Sequence, residues 1–472
     1  MLGVLGGVDD RTTENKHNDP EHAVNSSAIP CPTQRKITWH THYALLMLAL
    51  IYIFNYIDRL LVSILIEPIK LEFGVSDTLI GLLSGVAFAL FYTVFGLPLG
   101  RLSDRIGRKP VIALACIAWS LMTMLCGVAT SFAMLLLFRI GVAIGEAGGS
   151  APSVAMVADL YPPSHRSRAL AVFLMGPALG AVFGLGMGGW IADMYGWRWA
   201  FILIGAPGVL LGLILALTVR APRHQVASAR ESQESFVKTF LSLAKTPSYA
   251  LIVAAGSLAA IAAYAVGTWT PSFLIRSHGL SLTEAGALLG IGGGLMSVVG
   301  TLTCGWATDR LVRRNTGWQL GTALFGTAMS IPFGLLFFLW PAGSVFSLGE
   351  MTIPTPVLLY LGFAFFGTWW SVPCFGAMTH LFPASKLAQG TAIFLMGVTL
   401  LGVGLGPLVV GILSDFFEQA IGAEALRYAM ASTMVILLLP CVCLAWAIPR
   451  YRRQVDGTDV DSAAESPLLE GA

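Results

Sequence analysis

Four ionisable residues lie inside long apolar runs: Asp58 and Arg59, within Phe54-Asn55-Tyr56-Ile57-Asp58-Arg59, and Arg139 and Glu146 further along the chain. A charge at the centre of a bilayer costs at least about 2.5–3.5 kcal/mol on insertion scales, so it persists with a partner or a task. Fully ionised, the four charges cancel; one added proton leaves the set at +1. Arg139 and Glu146 are seven residues apart, nearly two helical turns, and so share a helix face. Gly141 and Gly145 open room beside them. Asp58 and Arg59 are adjacent and diverge by roughly 100°, so one can face a cavity while the other braces a neighbouring helix. Burial and a nearby guanidinium pull a carboxylate's protonation in opposite senses. A buried acid set between them can take a proton in one conformation and release it in another. The expected proton carriers are Asp58 and Glu146, with Arg59 and Arg139 attracting an anionic group. The alternative is a static ion network that only holds helices together.

The elements that position these residues are membrane helices. The chain has 472 residues, 56% hydrophobic and 11% charged, whereas soluble domains carry about 25% charged residues. A net charge of +2 gives no reason to expect a nucleic-acid partner. The seven Cys are scattered without metal-ligand spacing, so buried thiols are expected, and neither metal nor cofactor. No HExxH, P-loop or GxSxG motif is present, so no enzyme is expected.

A hydrocarbon core of about 30 Å needs roughly 20 apolar residues per helix. Twelve such runs are legible, at residues 43–71, 78–101, 110–128, 132–160, 167–193, 197–219, 249–275, 283–308, 317–340, 356–381, 387–414 and 425–448. The expected layout is an N-terminal tail (1–42), a six-helix half (43–219), a linker (220–248), a second six-helix half (249–449) and a C-terminal tail (450–472). The linker carries Glu231, Glu234 and Lys238 at helical spacing and is read as an interfacial helix. Both tails read as disordered, the second from Gln454. Lys and Arg crowd the tails, the central loop and alternate loops; the other loops keep only Lys70, Arg198, Arg276 and Arg427. That bias places both termini in the cytoplasm.

A Gly-x-x-x-Asp ending recurs four times: Gly100 to Asp104, Gly189 to Asp193, Gly305 to Asp309 and Gly411 to Asp415. The first and third end runs on the cytoplasmic side, the other two on the opposite side. Two halves, each built of three-helix units of inverted topology, give that pattern. Gly100, Asp104, Arg105 and Arg108, with Asp309 and Arg310, are the expected inner gate, the aspartates accepting from a helix N-terminus or from arginines.

The stretch Gly100-Arg101-Leu102-Ser103-Asp104-Arg105-Ile106-Gly107-Arg108-Lys109 resembles the loop signature of the major facilitator superfamily. Asn55-Tyr56-Ile57-Asp58-Arg59 and Arg139-Ile140-Gly141-Val142-Ala143-Ile144-Gly145-Glu146-Ala147 resemble the first- and fourth-helix patterns of its Spinster lipid transporters, as do Ala151-Pro152, Ala158-Asp159-Leu160 and Arg166-Ser167-Arg168. The sequence departs at Gly148-Gly149-Ser150, where animal members carry bulkier polar residues. The first of these patterns also occurs in organic-anion symporters. The resemblance implies an all-α membrane protein of twelve transmembrane helices with the major facilitator fold. Gly- and Pro-rich stretches around Gly176-Pro177 and Gly406-Pro407 resemble the superfamily's antiporter motif, whereas the charge arithmetic favours co-binding of proton and anion; both modes stay open.

The second half holds bulk instead of charge. Tyr264, Thr268, Trp269, Trp369 and Phe394, with Asn55 and Tyr56 from the first half, are the expected substrate contacts beside the arginines. A charged half-cavity facing an apolar one suits an amphiphile with an anionic head and an acyl tail. The expectation is a monomeric, proton-coupled carrier of a lysophospholipid- or sphingosine-phosphate-like lipid in a bacterial inner membrane. The alternatives are a symporter of a small organic anion or sugar acid, a drug:proton antiporter, and a lipid-binding membrane sensor.

Overall fold

A computed structural model describes residues 37–220, 243, 245–341, 343–348, 351–382 and 384–465. Residues 1–36 of the expected N-terminal tail and nearly all of the linker expected to be helical lie outside the described residues, and the first helix starts at Trp39, within the expected tail.

Apolar runs become helices because a bilayer leaves no other way to satisfy the backbone. The crossings are α1 (Trp39–Ile64), α2 (Asp77–Ile106), α3 (Arg108–Cys126), α4 (Phe132–Leu160), α5 (Ser164–Tyr195), α6 (Trp197–Thr218), α7 (Pro247–His278), α8 (Leu282–Val312), α9 (Trp318–Leu339) and α10 (Pro356–Leu381). A last apolar stretch, Gln389–Gly457, is 69 residues long. Straight, it would reach about 100 Å, three times a hydrocarbon core. It breaks at Gly422, whose φ of 60° suits glycine, and the flanking helices pack on each other. It therefore supplies two crossings: α11 (Ala384–Gly397, Val398–Val403 and Gly404–Ile421) and α12 (Ala425–Ile436 and Leu438–Glu465). A short helix, Ile66–Phe73, follows α1.

Two features depart from expectation. Strands β1 (Val345–Leu348) and β2 (Met351–Pro354) pair antiparallel between α9 and α10, with Val345 opposite Pro354. And α12 continues past residue 448 to Glu465 where disorder was expected from Gln454. Its extension is tied to the body: Ser248 Oγ donates to Gln454 Oε1 at 2.7 Å and Thr316 Oγ1 to Asp456 Oδ1 at 2.8 Å. Composition does not reveal such bonds.

The two halves, α1–α6 and α7–α12, meet through α2 on α11, α5 on α8 and α1 on α7. Their packing differs between the two ends. At one end a single apolar core runs through both halves, from Leu61, Ile66 and Phe201 to Trp269, Phe273 and Phe338. At the other, the one bearing Arg101–Arg108, each half keeps its own core: Tyr161 and Phe173 in the first, Tyr249 and Tyr451 in the second. The molecule is closed at the first end and parted at the second.

Candidate functional site

The four buried charges converge where α1 meets α3 and α4. Their pairing crosses the sequence order. Arg59 Nε donates to Glu146 Oε2 at 2.5 Å, and Arg139 Nη1 donates to Asp58 Oδ1 at 3.3 Å. Thr123 of α3 donates its hydroxyl to the other oxygen of Asp58. Asp58, Arg139 and Glu146 are 3%, 2% and 0% exposed. The Arg59 guanidinium is framed by the rings of Tyr92, Phe88 and Tyr56, at 4.8, 5.2 and 5.3 Å, which supply cation–π attraction. Gly145 makes this geometry feasible: a Cβ there would lie 2.7 Å from the Trp119 backbone nitrogen, so only glycine lets α4 approach α3 this closely.

The network is incomplete. Glu146 Oε1, Arg59 Nη2 and Arg139 Nε are buried and lack a hydrogen-bond partner among the described residues. Buried polar groups are normally satisfied, so each such orphan asks for an explanation. A cavity of about 220 Å³ adjoins them, lined by Arg59, Ser84 and Arg139 from the first half and by Tyr264, Thr268 and Pro407 from the second.

Other expected contacts lie elsewhere. Asn55 is buried, with both amide atoms unpartnered among the described residues, and does not line this cavity; Tyr56 is half-buried beside Arg59. Trp269 is fully buried, its indole N–H on the Pro407 carbonyl at 2.9 Å. Trp369 sits among Phe325, Phe365 and Phe366, and Phe394 packs on Phe375 and Trp370. None of these three lines the central cavity. Their helices are apolar all round, so periodicity carries no sign of which face turns inward. Among the described residues no group of three His, Cys, Asp or Glu is placed to hold a metal.

The repeated Gly-x-x-x-Asp endings divide by end. At the closed end Asp415 of α11 accepts from the backbone nitrogens of Asp77 and Thr78 at 2.9 and 2.8 Å, capping α2. Asp193 of α5 accepts from the Thr283 backbone nitrogen at 2.7 Å, capping α8. Each aspartate thus caps a helix of the opposite half, where the orphan N–H groups and the helix dipole favour an anion. Cβ atoms at the accompanying Gly411 and Gly189 would both come within 2.3 Å of a carbonyl across the interface. At the parted end, Cβ atoms at Gly100 and Gly305 would meet nothing within 4 Å. Asp104, Arg105, Asp309 and Arg310 are exposed there, and Arg108 bonds within its own half, to Asp159 and the Ala155 carbonyl.

The closed end also holds an ion cluster that the apolar runs do not disclose. Arg276 of α7 binds Asp77 of α2 and, at 2.9 Å, Glu67 of the short helix. Lys70 Nζ and Ser414 Oγ also bond Asp77, at 2.7 and 2.6 Å. The usable signal was the Gly411-to-Asp415 repeat, whose partner helix starts at Asp77.

The symmetry extends to the Gly-rich stretches. Gly180 of α5 lies against Tyr56 of α1, and Gly406 of α11 against the Ile261 carbonyl of α7. Close helix approach accounts for these glycines without reference to antiport.

Residues 48–378 match the Major Facilitator Superfamily. An MFS-type efflux pump of Mycolicibacterium smegmatis is 34% identical over 410 residues, 87% of this chain and 93% of that one. A sphingosine-1-phosphate transporter of Danio rerio is 26% identical, covering 83% of this chain and 79% of its own. The crystal structure of a bacterial homologue of the human lysosomal transporter Spinster, inward-facing and unoccupied, superposes with a TM-score of 0.78 at 28% identity, over 89% of this chain and 99% of that one. With a matched family over most of its length, inverted three-helix units and a midplane cavity between two halves, this chain belongs to the major facilitator superfamily and resembles its Spinster members.

Proposed function

We propose that this membrane transporter moves an amphiphilic anion of the lysophospholipid or sphingosine-phosphate class, coupled to protons, by alternating access. The observation that carries the reading is Arg59: it lines the central cavity, is held by the buried Glu146, and keeps Nη2 without a partner among the described residues. Protonation of Glu146 removes the charge that holds Arg59. The freed guanidinium then takes a phosphate or carboxylate, which it matches as a planar donor fork. Asp58 and Arg139 form the second pair of the relay. The cavity volume of about 220 Å³ is below the roughly 300–1,000 Å³ of pockets that enclose a whole ligand; it suits a head group, with the tail leaving along the parted end. The excess of Lys and Arg at that end supports a cytoplasmic placement, and with it the reading of this conformation as inward-facing in a bacterial inner membrane.

A second reading is favoured by one observation, the 34% identity to a chain named as an efflux pump. An exporter of organic cations would exchange substrate for protons, although Arg59 in the cavity wall opposes a cation.

Uptake by reconstituted protein of labelled lysolipid, sphingosine phosphate, a sugar acid and a cationic dye, with and without a pH gradient, decides between them. The expected result is gradient-driven flux of the amphiphilic anions. Gradient-driven flux of the dye or the sugar acid alone overturns the proposal, and binding without flux of any probe makes the protein a sensor.

A further inference from the structure

A cavity of about 1170 Å³ opens between the start of α9 and the end of α12, away from the helices that line the central site. Its floor is one face of α9: Gly317, Gly321, Leu324 and Ala328. From Gly317 to Ala328 is about 16 Å along a helix, close to half of a hydrocarbon core of about 30 Å. Ile448 lies against Gly317 and the Trp318 ring against Gly321, and the exposed rings of Trp318 and Phe325 wall the groove.

The mouth of the groove is basic. Arg452 and Arg453 line it and are exposed. Asn315, also at the mouth, directly follows Arg313 and Arg314, both exposed. Among the described lining residues the acid is Asp456, and it is engaged by Arg452 at 3.1 Å and by the Thr316 hydroxyl at 2.8 Å. Arg453 Nε rests on the Pro449 carbonyl at 3.3 Å.

We propose that this groove is a binding site for one anionic phospholipid of the leaflet at the Lys/Arg-rich end. An acyl chain lies in the slot over Gly317 and Gly321, and the phosphate meets Arg452 and Arg453. The depth matches one leaflet, the slot is apolar and the mouth is cationic, so a chain and a charged head are satisfied together. Basic residues near a membrane surface each gain about 1 kcal/mol from anionic lipid, which is about fivefold in affinity. The site stands apart from the transported substrate, because none of its residues lines the central cavity.

Native mass spectrometry of the purified full chain, titrated with dioleoyl phosphatidylglycerol or dioleoyl phosphatidylcholine, tests it. The expected result is at least about fivefold tighter binding of the anionic lipid. Arg452→Gln with Arg453→Gln brings the ratio near one by weakening the anionic lipid more than phosphatidylcholine, while Gly321→Leu weakens both lipids by filling the slot. Inorganic phosphate does not displace the bound lipid. Equal binding of the two lipids to the unaltered chain, or a preference that survives loss of both arginines, overturns the proposal. The arginine substitutions are on the surface and stay decisive if Gly321→Leu does not fold.

Discussion

Arg276 holds Asp77 by both carboxylate oxygens, Nη1 to Oδ2 and Nη2 to Oδ1, each at 2.8 Å. The two residues belong to opposite halves, and Asp77 is 1% exposed. Stranding one member of a buried ion pair costs about 3–5 kcal/mol; Lys70 still pairs with Asp77 once Arg276 is gone, so the loss here is smaller. Arg276→Gln therefore lowers the population of the closed-end conformation by at least about tenfold. Spin labels at Leu71 and Glu418, which line the same vestibule, report this as a longer distance. An unchanged distance distribution would show that the pair does not hold the halves together.

The helix caps give a smaller shift with a diagnostic sign. Loss of an N-cap costs about 1 kcal/mol, so Asp415→Ala and Asp193→Ala should each move the same labels outward by roughly fivefold in population. If the matching aspartates at the parted end serve the opposite conformation, Asp104→Ala and Asp309→Ala shift the distribution the other way. The same direction for all four substitutions contradicts the two-ended gate.

The glycines separate the ends again. A methyl group at Gly411 lies 2.3 Å from the Asp77 carbonyl oxygen, which no small adjustment relieves. Gly411→Ala should widen the Leu71–Glu418 distance in most molecules. Gly305→Ala, with nothing within 4 Å of its Cβ, should leave the distance unchanged.

For the central pairs, Asp58→Asn and Glu146→Gln should each abolish gradient-driven uptake. Glu146→Gln also strands Arg59, so a loss of thermal stability accompanies it. The double substitution Arg59→Gln with Glu146→Gln should recover stability without recovering coupling, a non-additivity expected of residues in direct contact. Uptake that keeps its full pH dependence in both single variants removes these acids from the proton path.

Outside the membrane spans, Glu72 offers a test of pH dependence. Its carboxylate accepts from Arg198 and, at 2.7 Å, from the Trp197 indole nitrogen; hydrogen bonding by Arg198 holds it below its usual carboxylate range. A depressed folded-state value stabilises above the unfolded value and is lost as pH falls through the folded one. The pair is exposed, so about 0.2–1 kcal/mol is at stake. Glu72→Gln should lower Tm slightly at neutral pH, and the difference from the unaltered chain should vanish in acid. A gap that persists in acid assigns the effect to packing.

The apolar runs disclose the crossings because bilayer thickness sets their length, and the charges within them disclose the quartet because insertion is costly. What the runs do not disclose is rotation about each helix axis. Arg139 and Glu146 do share a face, yet each pairs with a residue of α1, which spacing alone does not reveal. Trp269, Trp369 and Phe394 look like pocket residues by type and are packing residues in this conformation. Arg276 reads as a loop cation since it ends its helix. The β1–β2 hairpin joins two four-residue segments too short to show a period, and the extension of α12 depends on contacts between segments far apart in sequence.

The clasps at the closed end come as a matched pair, Asp415 on α2 and Asp193 on α8, on either side of the interface. Stiff bundles joined at these two caps, and by Arg276 on Asp77 between the same halves, cannot release one and keep the others without bending. All must let go together, so the passage has no half-ajar form through which ions could slip down their gradient unaccompanied.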